Sequence, residues 1–366
     1  MQEIIVNTKN PYCITIAAGL LSHESLITFC ANLAHEWVIL TDDIVNTLYA
    51  RALQQHLAKH FKVNLISIPA GEEHKTRETK AQIEDKMQSL GCGRDCGILA
   101  VGGGVITDLS GFVAATYCRG IPAVYIPTTL LAMVDATVGG KTGINTPYGK
   151  NLIGTFTQPR AVFIDTDVLT TLDNENFCNG VIESIKHALI ADADFFQFLD
   201  THADKIMQKD AHLLSEIITR SINIKRQIIE ADEFEYGQRA ICNFGHTIGH
   251  AIETYSNYTI SHGAAVAIGM VYESHLSTLL SGLTQIELEK IKQCLTKYNV
   301  RLTLNDDEWN SDAIKILFER DKKVRNGQAH FVLLSAIGVP YISASGYTTP
   351  IDESQTLNTL NLISAS

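Results

Sequence analysis

Three histidines and one glutamate of this 366-residue chain are of the types that bind metal ions. His246 and His250 are four residues apart and share one face of a predicted helix, and His262 opens a further predicted helix. Glu183 and Lys186, three residues apart, share one face of another predicted helix. A carboxylate and imidazoles from separate helices can form a three-ligand zinc site with an open coordination position, as catalytic zinc requires. Histidines at the surface, or histidines with satisfied hydrogen bonds, would show the same spacing. The sequence therefore leaves both interpretations open.

Two glycines beside these histidines indicate close approach of the backbone. Gly245 and Gly249 fall inside the predicted helix. Each glycine in a helix costs about 1 kcal/mol relative to alanine, so something must require it. The prediction is that another part of the chain packs closely against this segment.

A glycine turn between a strand and a helix could bind a phosphate. The apolar run Leu99-Ala100-Val101 leads into Gly102-Gly103-Gly104, and Val105 to Tyr117 is a predicted helix. The unpaired N–H groups and the dipole of such a helix favour an anion. Asp108 could bind a cofactor group or only complement the helix dipole, and Pro127-Thr128-Thr129 adds hydroxyls at the same sheet edge. The spacing is not G-x-G-x-x-G, and a plain tight turn is the alternative.

Several basic residues lie in settings that suit an anionic substrate. Lys141 and Lys150 each occupy a segment flanked by glycines, and both segments are predicted to be tight loops. Such loops position side chains, so a ligand that carries phosphate or carboxylate would fit. The alternative for each is a solvated surface charge. Further candidates are Arg119, Lys225, Arg239, Asn243 and the pair Lys322-Lys323.

The elements that must position these residues alternate between strands and helices in the first half of the chain. Short apolar runs predict strands at 37–40, 63–68, 97–101, 123–126 and 161–164, with helices at 46–61 and 76–91. This pattern predicts an α/β domain with a mainly parallel, Rossmann-like sheet, residues 1–171. Residues 172–366 are predicted to form a mainly α-helical domain, in which strand-like runs almost vanish until Phe331 to Leu334. The cleft between the domains is the expected site.

Composition narrows the class of partner. The chain is 45% hydrophobic and 19% charged, as globular proteins are, with a formal net charge of −11. This acidic surface argues against a nucleic-acid or membrane-surface partner. The N-terminus does not resemble a signal peptide, and eight scattered cysteines predict reduced thiols and a cytoplasmic protein.

The motifs, taken in order, resemble the 3-dehydroquinate synthase family, the sugar-phosphate cyclases of the shikimate pathway. The resemblance covers most of the chain and is strongest from Gly97 to Gly269. It rests on Gly102-Gly103-Gly104 with Asp108, Pro127-Thr128-Thr129-Leu130-Leu131, Asp135, Val138-Gly139-Gly140-Lys141-Thr142, Gly149-Lys150-Asn151-Leu152-Ile153-Gly154, Asn243-Phe244-Gly245-His246-Thr247 and Asp321-Lys322-Lys323.

This resemblance implies three sets of site residues. Glu183, His246 and His262 would hold one divalent metal, zinc or alternatively cobalt. NAD would be bound by Asp42, Glu72, Lys75, Gly103, Gly104, Val105, Ile106, Thr107, Asp108, Thr128, Thr129, Asp135, Lys141, Lys150, Val168, Leu169, Thr170 and Thr171. The substrate would be bound by Arg119, Lys141, Asn151, Lys186, Lys225, Arg239, Asn243, His250, Lys322 and Lys323.

The family's reaction, by the same resemblance, starts from 3-deoxy-D-arabino-heptulosonate 7-phosphate. Transient oxidation by NAD is followed by loss of phosphate, return of the hydride, ring opening and an intramolecular aldol closure to 3-dehydroquinate. Relatives are commonly homodimers. Two positions depart from the family: Ala264 replaces the glutamate that usually follows His-Gly, and Ile44 replaces a position that is often polar. The first departure predicts weaker support for the metal ligands.

Three alternatives remain at the level of sequence. Another cyclase could act on glucose 6-phosphate or sedoheptulose 7-phosphate, but Arg239, Asn243 and Lys322-Lys323 favour a carboxylated substrate. A metal-dependent alcohol or glycerol dehydrogenase would have no need of so many lysines. A degenerate NAD-binding module would be expected to lose one of the three metal ligands.

Overall fold

The computed structural model describes residues 1–256, 259–304, 324–325 and 328–358. The chain divides into two compact units, Met1–Leu172 and Asp173–Ser366. Within the described ranges, no helix is both long and apolar enough to cross a membrane.

A seven-stranded sheet forms the centre of the first unit. Its strands are β1 (Gln2–Val6), β2 (Tyr12–Ala17), β3 (Glu36–Asp42), β4 (Lys62–Ile68), β5 (Cys96–Gly102), β6 (Ala123–Pro127) and β9 (Ala161–Asp165), in the order β1-β2-β9-β6-β5-β3-β4. Only β1 runs antiparallel to its neighbour. Every residue of β5 and β6 is buried, because helices cover both faces of a parallel sheet. The predicted α/β fold class is confirmed.

The helices of the first unit begin and end where the sequence provides caps. Thr76 accepts a hydrogen bond from the Thr79 backbone N–H at the start of Arg77–Ser89. The helix predicted at 46–61 instead spans 43–57, because the Asp42 side chain caps it three residues earlier. The remaining helical segments are Leu20–Ser22, Glu24–Ala31, Glu72–His74, Gly104–Thr116, Tyr117–Arg119, Ala132–Ala136 and Thr166–Thr171.

A β-hairpin replaces the two tight loops predicted around Lys141 and Lys150. Strands β7 (Lys141–Thr146) and β8 (Gly149–Phe156) pair antiparallel. A Cβ atom added at Gly154 would lie 1.9 Å from the Thr142 carbonyl oxygen. Gly143 and Gly154 therefore allow the two strands to approach closely, whereas Gly139 and Gly140 precede β7 with positive φ values, as in a turn.

Helices dominate the second unit, as predicted. They are Asn174–Ala191, Ala193–Thr201, Ala203–Met207, Ala211–Ala231, Gln238–Asn243, His246–Tyr255, His262–Leu280, Gln285–Thr296 and Glu353–Asn358. The strand-like run Phe331 to Leu334 is not one strand but the end of one and the start of the next. The strands are Val324–Arg325, Gln328–Phe331, Leu334–Ala336, Val339–Pro340 and Thr349–Asp352.

Candidate functional site

Glu183, His246 and His262 converge within the second unit. Glu183 lies in the middle of helix Asn174–Ala191, whereas His246 and His262 are the first residues of their helices. The Nε2 atoms of His246 and His262 lie 3.5 and 3.3 Å from Glu183 Oε1. One ligand atom from each residue lies within 4.8 Å of the others, so one cation could be bound by all three.

The other nitrogen of each histidine ring is held by an acceptor. His246 Nδ1 lies 3.0 Å from the Phe244 carbonyl oxygen, and His262 Nδ1 lies 3.3 Å from Glu253 Oε1. A proton held at Nδ1 leaves the Nε2 lone pair available to a metal, which is the usual arrangement of metal-binding histidines. The residues present therefore fit a divalent cation.

Glu253 is a further candidate site residue, which the sequence motifs did not include. Its carboxylate is buried and directed at His262, although nothing in the local sequence marks it. Its position seven residues after His246, two turns along the same helix, could have revealed it. Glu253 also supplies His262 with a carboxylate partner although Ala264 replaces the family's usual glutamate.

Buried charges surround Glu183. Lys186, one helical turn later, donates to Glu183 Oε2, and both side chains are almost fully buried. Burial alone would lower the pKa of His262, but the carboxylates of Glu253 and Glu183 raise that pKa to about 10. Lys186 thus offsets part of the negative charge gathered here.

Glycines bring the two histidine-bearing helices together. The structure corrects one detail: Gly249 lies inside helix His246–Tyr255, whereas Gly245 precedes it as N-cap with a φ of 78°. A Cβ atom at Gly269 would lie 1.9 Å from the Gly245 carbonyl oxygen. This close helix contact places the His246 and His262 rings 5.5 Å apart, as the glycine pattern predicted.

The other described candidates of the second unit lie in three helices. The His250 ring is centred 5.3 Å from that of His246. Arg239 is buried and donates to the Glu233 carbonyl oxygen, and Asn243 Nδ2 donates to Glu235 Oε1 at 2.9 Å. Lys225 is buried in helix Ala211–Ala231. Lys322 and Lys323 lie outside the described residues.

The first unit presents its glycine turn at the carboxyl edge of the sheet. Helix Gly104–Thr116 has Gly103 as N-cap, with no side chain capping its first N–H groups. A Cβ atom at Gly103 would lie 3.0 Å from Thr129 Cγ2. The Thr128 hydroxyl is buried without a hydrogen-bond partner among the described residues. Open N–H groups and a spare hydroxyl fit a phosphate-bearing cofactor.

Lys75 links this turn to the hairpin. Its buried Nζ lies 2.6 Å from Asp108 Oδ2 and 2.7 Å from Asn151 Oδ1. Burial alone would lower the pKa of Lys75, but the charges of Asp108 and Glu72 outweigh it and the pKa is raised. Lys75 is therefore a fixed cation between two predicted binding residues.

The remaining cofactor candidates are spread along the first unit. The Asp42 carboxylate accepts from the Val45 backbone N–H at 2.8 Å, and Ile44 beside it is exposed. The Thr171 hydroxyl contacts the Tyr49 hydroxyl. The other cofactor candidates lie in four places: Val105, Ile106 and Thr107 in the first turn of Gly104–Thr116, Asp135 in Ala132–Ala136, Val168, Leu169 and Thr170 in Thr166–Thr171, and Lys141 and Lys150 in the hairpin. The substrate candidate Arg119 is the last residue of Tyr117–Arg119 and has a φ of 69°.

Similarity to solved structures over almost its whole length places the chain among the sugar-phosphate cyclases. A 2-deoxy-scyllo-inosose synthase complexed with carbaglucose-6-phosphate, NAD⁺ and Co²⁺ has a TM-score of 0.89 at 25% identity, covering 99% of both chains. The 2-epi-5-epi-valiolone synthase from Streptomyces hygroscopicus, with NAD⁺ and Zn²⁺ bound, has a TM-score of 0.88 at 28% identity, covering 98% of both chains.

Sequence comparison narrows the class to one family. The N-terminal and C-terminal family profiles of 3-dehydroquinate synthase match residues 65–179 and 180–324. The 3-dehydroquinate synthase of Syntrophotalea carbinolica is 43% identical over 332 residues, which are 90% of this chain and 91% of that protein. The chain belongs to the 3-dehydroquinate synthase family.

Proposed function

We propose that this protein converts 3-deoxy-D-arabino-heptulosonate 7-phosphate to 3-dehydroquinate and phosphate, with NAD and one divalent metal ion. Family membership supports the reaction. The observation that carries the proposal is the convergence of Glu183, His246 and His262, with both Nδ1 atoms held by acceptors. Three protein ligands leave a coordination position for substrate, as a catalytic zinc site requires. Cobalt is the alternative metal.

NAD is assigned to the carboxyl edge of the first unit's sheet. The uncapped start of helix Gly104–Thr116 supports binding of its phosphates, and Lys75 holds Asp108 in place for a ribose. When bound, NAD would accept a hydride from the substrate and return it, and the metal would polarise substrate hydroxyls. The other NAD residues are those that the family resemblance implies.

The substrate is a dianionic phosphate that also carries a carboxylate, so its binding residues must supply positive charge. Lys186, Lys225 and Arg239 are basic and buried, and burial holds their side chains in fixed positions. Their burial supports a fixed, anion-binding pocket in which the residues orient the substrate. On the family resemblance we also assign Arg119, Lys141, Asn151, Asn243, His250, Lys322 and Lys323 to substrate binding, the asparagines through hydrogen bonds rather than charge.

Two further properties are proposed with the function. All eight cysteines are free thiols, which supports a reducing compartment and hence the cytoplasm. A homodimer is proposed from the family resemblance, and analytical ultracentrifugation of the purified protein would test it.

A turnover assay tests the reaction. Purified protein is given the heptulosonate phosphate, a catalytic amount of NAD and zinc, and phosphate release and NADH absorbance are followed together. We expect phosphate without accumulation of NADH, because the hydride returns to the substrate in each turnover. Accumulating NADH without phosphate would refute the proposal and indicate a dehydrogenase. Turnover of glucose 6-phosphate or sedoheptulose 7-phosphate alone would indicate another cyclase.

A further inference from the structure

One residue of the hairpin, Asn145, makes hydrogen bonds to the segment 72–75 and to the opposite strand of the hairpin. Its Nδ2 donates to Glu72 Oε1 at 2.7 Å, and its Oδ1 accepts from the Asn151 backbone N–H at 3.0 Å. Its own backbone N–H donates to the Lys75 carbonyl oxygen at 2.7 Å. Asn145 therefore holds together segments that are far apart in sequence.

Asn145 lies opposite a bulge in the hairpin. Ile144 pairs with Ile153 and Thr146 pairs with Gly149, so Asn145 alone faces three residues, 150–152. A bulge of this kind interrupts the ladder of backbone hydrogen bonds. The Asn145 side chain replaces one missing ladder bond when its Oδ1 accepts from the Asn151 N–H.

This bond holds Asn151 in an uncommon conformation. Asn151 has a φ of 52°, in the left-handed region that few non-glycine residues adopt, and such a conformation persists only where the surroundings enforce it. Its side-chain Oδ1 is held from the other side by Lys75 Nζ at 2.7 Å. Asn145 and Lys75 together determine where the Asn151 side chain lies.

The two ends of this network belong to different proposed ligands. Glu72 and Lys75 are assigned to NAD, whereas Asn151 is assigned to the substrate. We propose that Asn145 is a positioning residue that couples NAD binding to the binding of the anionic substrate, by joining Glu72 to the backbone of Asn151. This inference rests on the proposed function. Such coupling is reciprocal, so each ligand tightens the other by the same factor.

The coupling is measured by titrating NAD into the purified protein by calorimetry, with and without saturating inorganic phosphate as the anion probe. We expect phosphate to tighten NAD binding to the unaltered protein by about 5-fold or more. In Asn145→Ala this ratio falls towards one, and NAD alone binds about tenfold more weakly, since a hydrogen bond to a charged group is lost. Exchange of the Asn151 amide hydrogen with deuterium becomes faster.

A matched control is Asn64→Ala. Asn64 Nδ2 also donates to a carboxylate, Glu36 Oε1 at 2.7 Å, but at the amino ends of β3 and β4. This variant should keep the ratio of the unaltered protein. An unchanged ratio in folded Asn145→Ala, or no effect of phosphate on NAD binding to the unaltered protein, overturns the inference.

An exchange of donor and acceptor separates a specific hydrogen bond from a folding defect. Asn145→Asp keeps the acceptor for the Asn151 N–H but places a second carboxylate against Glu72, so the ratio should fall. Adding Glu72→Gln supplies a donor to Asp at position 145, so the ratio should recover even though NAD itself binds more weakly, because Glu72 is assigned to NAD. Failure to recover in the folded double variant counts against the proposal. If instead the unaltered protein neither binds NAD nor releases phosphate from the heptulosonate phosphate in the turnover assay, it is the proposed function that fails.

Discussion

His262 Nδ1 lies 3.3 Å from Glu253 Oε1, while Nε2 of the same ring lies 3.3 Å from Glu183 Oε1. The imidazole is therefore held between a buried carboxylate behind it and a proposed metal ligand in front of it. A carboxylate in this position fixes the ring's orientation and makes it a better ligand. The arrangement gives His262 the support that Ala264 cannot supply.

Replacing Glu253 by glutamine should weaken metal binding without unfolding the protein. Loss of such a partner typically costs about 10- to 100-fold in metal affinity. Competition with a chelating dye measures the zinc affinity, and circular dichroism reports the fold. The control is Glu289→Gln, at a half-exposed position on helix Gln285–Thr296. Zinc affinity equal to that of the unaltered protein would remove Glu253 from this role.

Lys186→Met should destabilise the metal-free protein more than the zinc-loaded one. Lys186 and Glu183 form a buried ion pair, and removing one partner of such a pair costs about 3–5 kcal/mol because the other charge remains buried. Bound zinc would compensate the Glu183 charge and reduce this cost. Urea unfolding with zinc and with a chelator gives the two free energies. Equal losses of free energy of unfolding with zinc and with chelator would contradict the proposal that Glu183 both pairs with Lys186 and binds the metal.

Asp232→Asn should loosen the segment that carries Arg239. The Asp232 carboxylate accepts from the backbone N–H groups of Tyr236, Gly237 and Arg239. Because Asn cannot accept all three bonds as a carboxylate does, we expect a loss of about 1–3 kcal/mol in the free energy of unfolding at pH 7. Urea unfolding measures it, and no loss at pH 7 would refute the capping role.

The same carboxylate predicts how this loss depends on pH. Burial alone would raise the pKa of Asp232, but the three N–H donors outweigh it and lower the pKa. A lowered folded-state pKa means that the contribution is present above the ordinary value of about 3.9 and lost as the pH falls through the folded value. The difference between the unaltered protein and Asp232→Asn should therefore shrink below about pH 4. A constant difference down to pH 2 would argue against this titration.

Gly269→Ala should separate the two histidine-bearing helices. The added Cβ would lie 1.9 Å from the Gly245 carbonyl oxygen, so the backbones must move apart. Overpacking of this kind lowers the free energy of unfolding by about 1–3 kcal/mol or more. It should also lower zinc affinity, because His246 and His262 move apart when the helices that carry them move apart. Thermal unfolding and zinc titration measure the two effects. Unaltered stability of Gly269→Ala would contradict this prediction, because it would show that the helices accommodate the added methyl group without cost.

Local sequence was enough to predict five strands of the first unit's sheet, whereas β1, β2 and helix Glu24–Ala31 were not predicted. The strands around Val38, Leu99 and Val124 read as apolar runs because the sheet is covered on both faces. The hairpin was not predicted because glycines in a local sequence are typical of loops. Here Gly143 and Gly154 allow two strands to approach closely, which depends on a partner strand about ten residues away along the chain.

The sequence by itself determined the kinds of chemistry available: the glycine turn, the metal-binding residue types, and basic groups within an acidic chain of net charge −11. These follow from residue type and short spacing. Only the tertiary structure decided which groups meet: Glu253 behind His262, Lys75 between Asp108 and Asn151, and Asn145 against the bulge. The physical reason is that hydrogen bonds and ion pairs act over about 3 Å, and the chain brings distant residues within that distance only by folding.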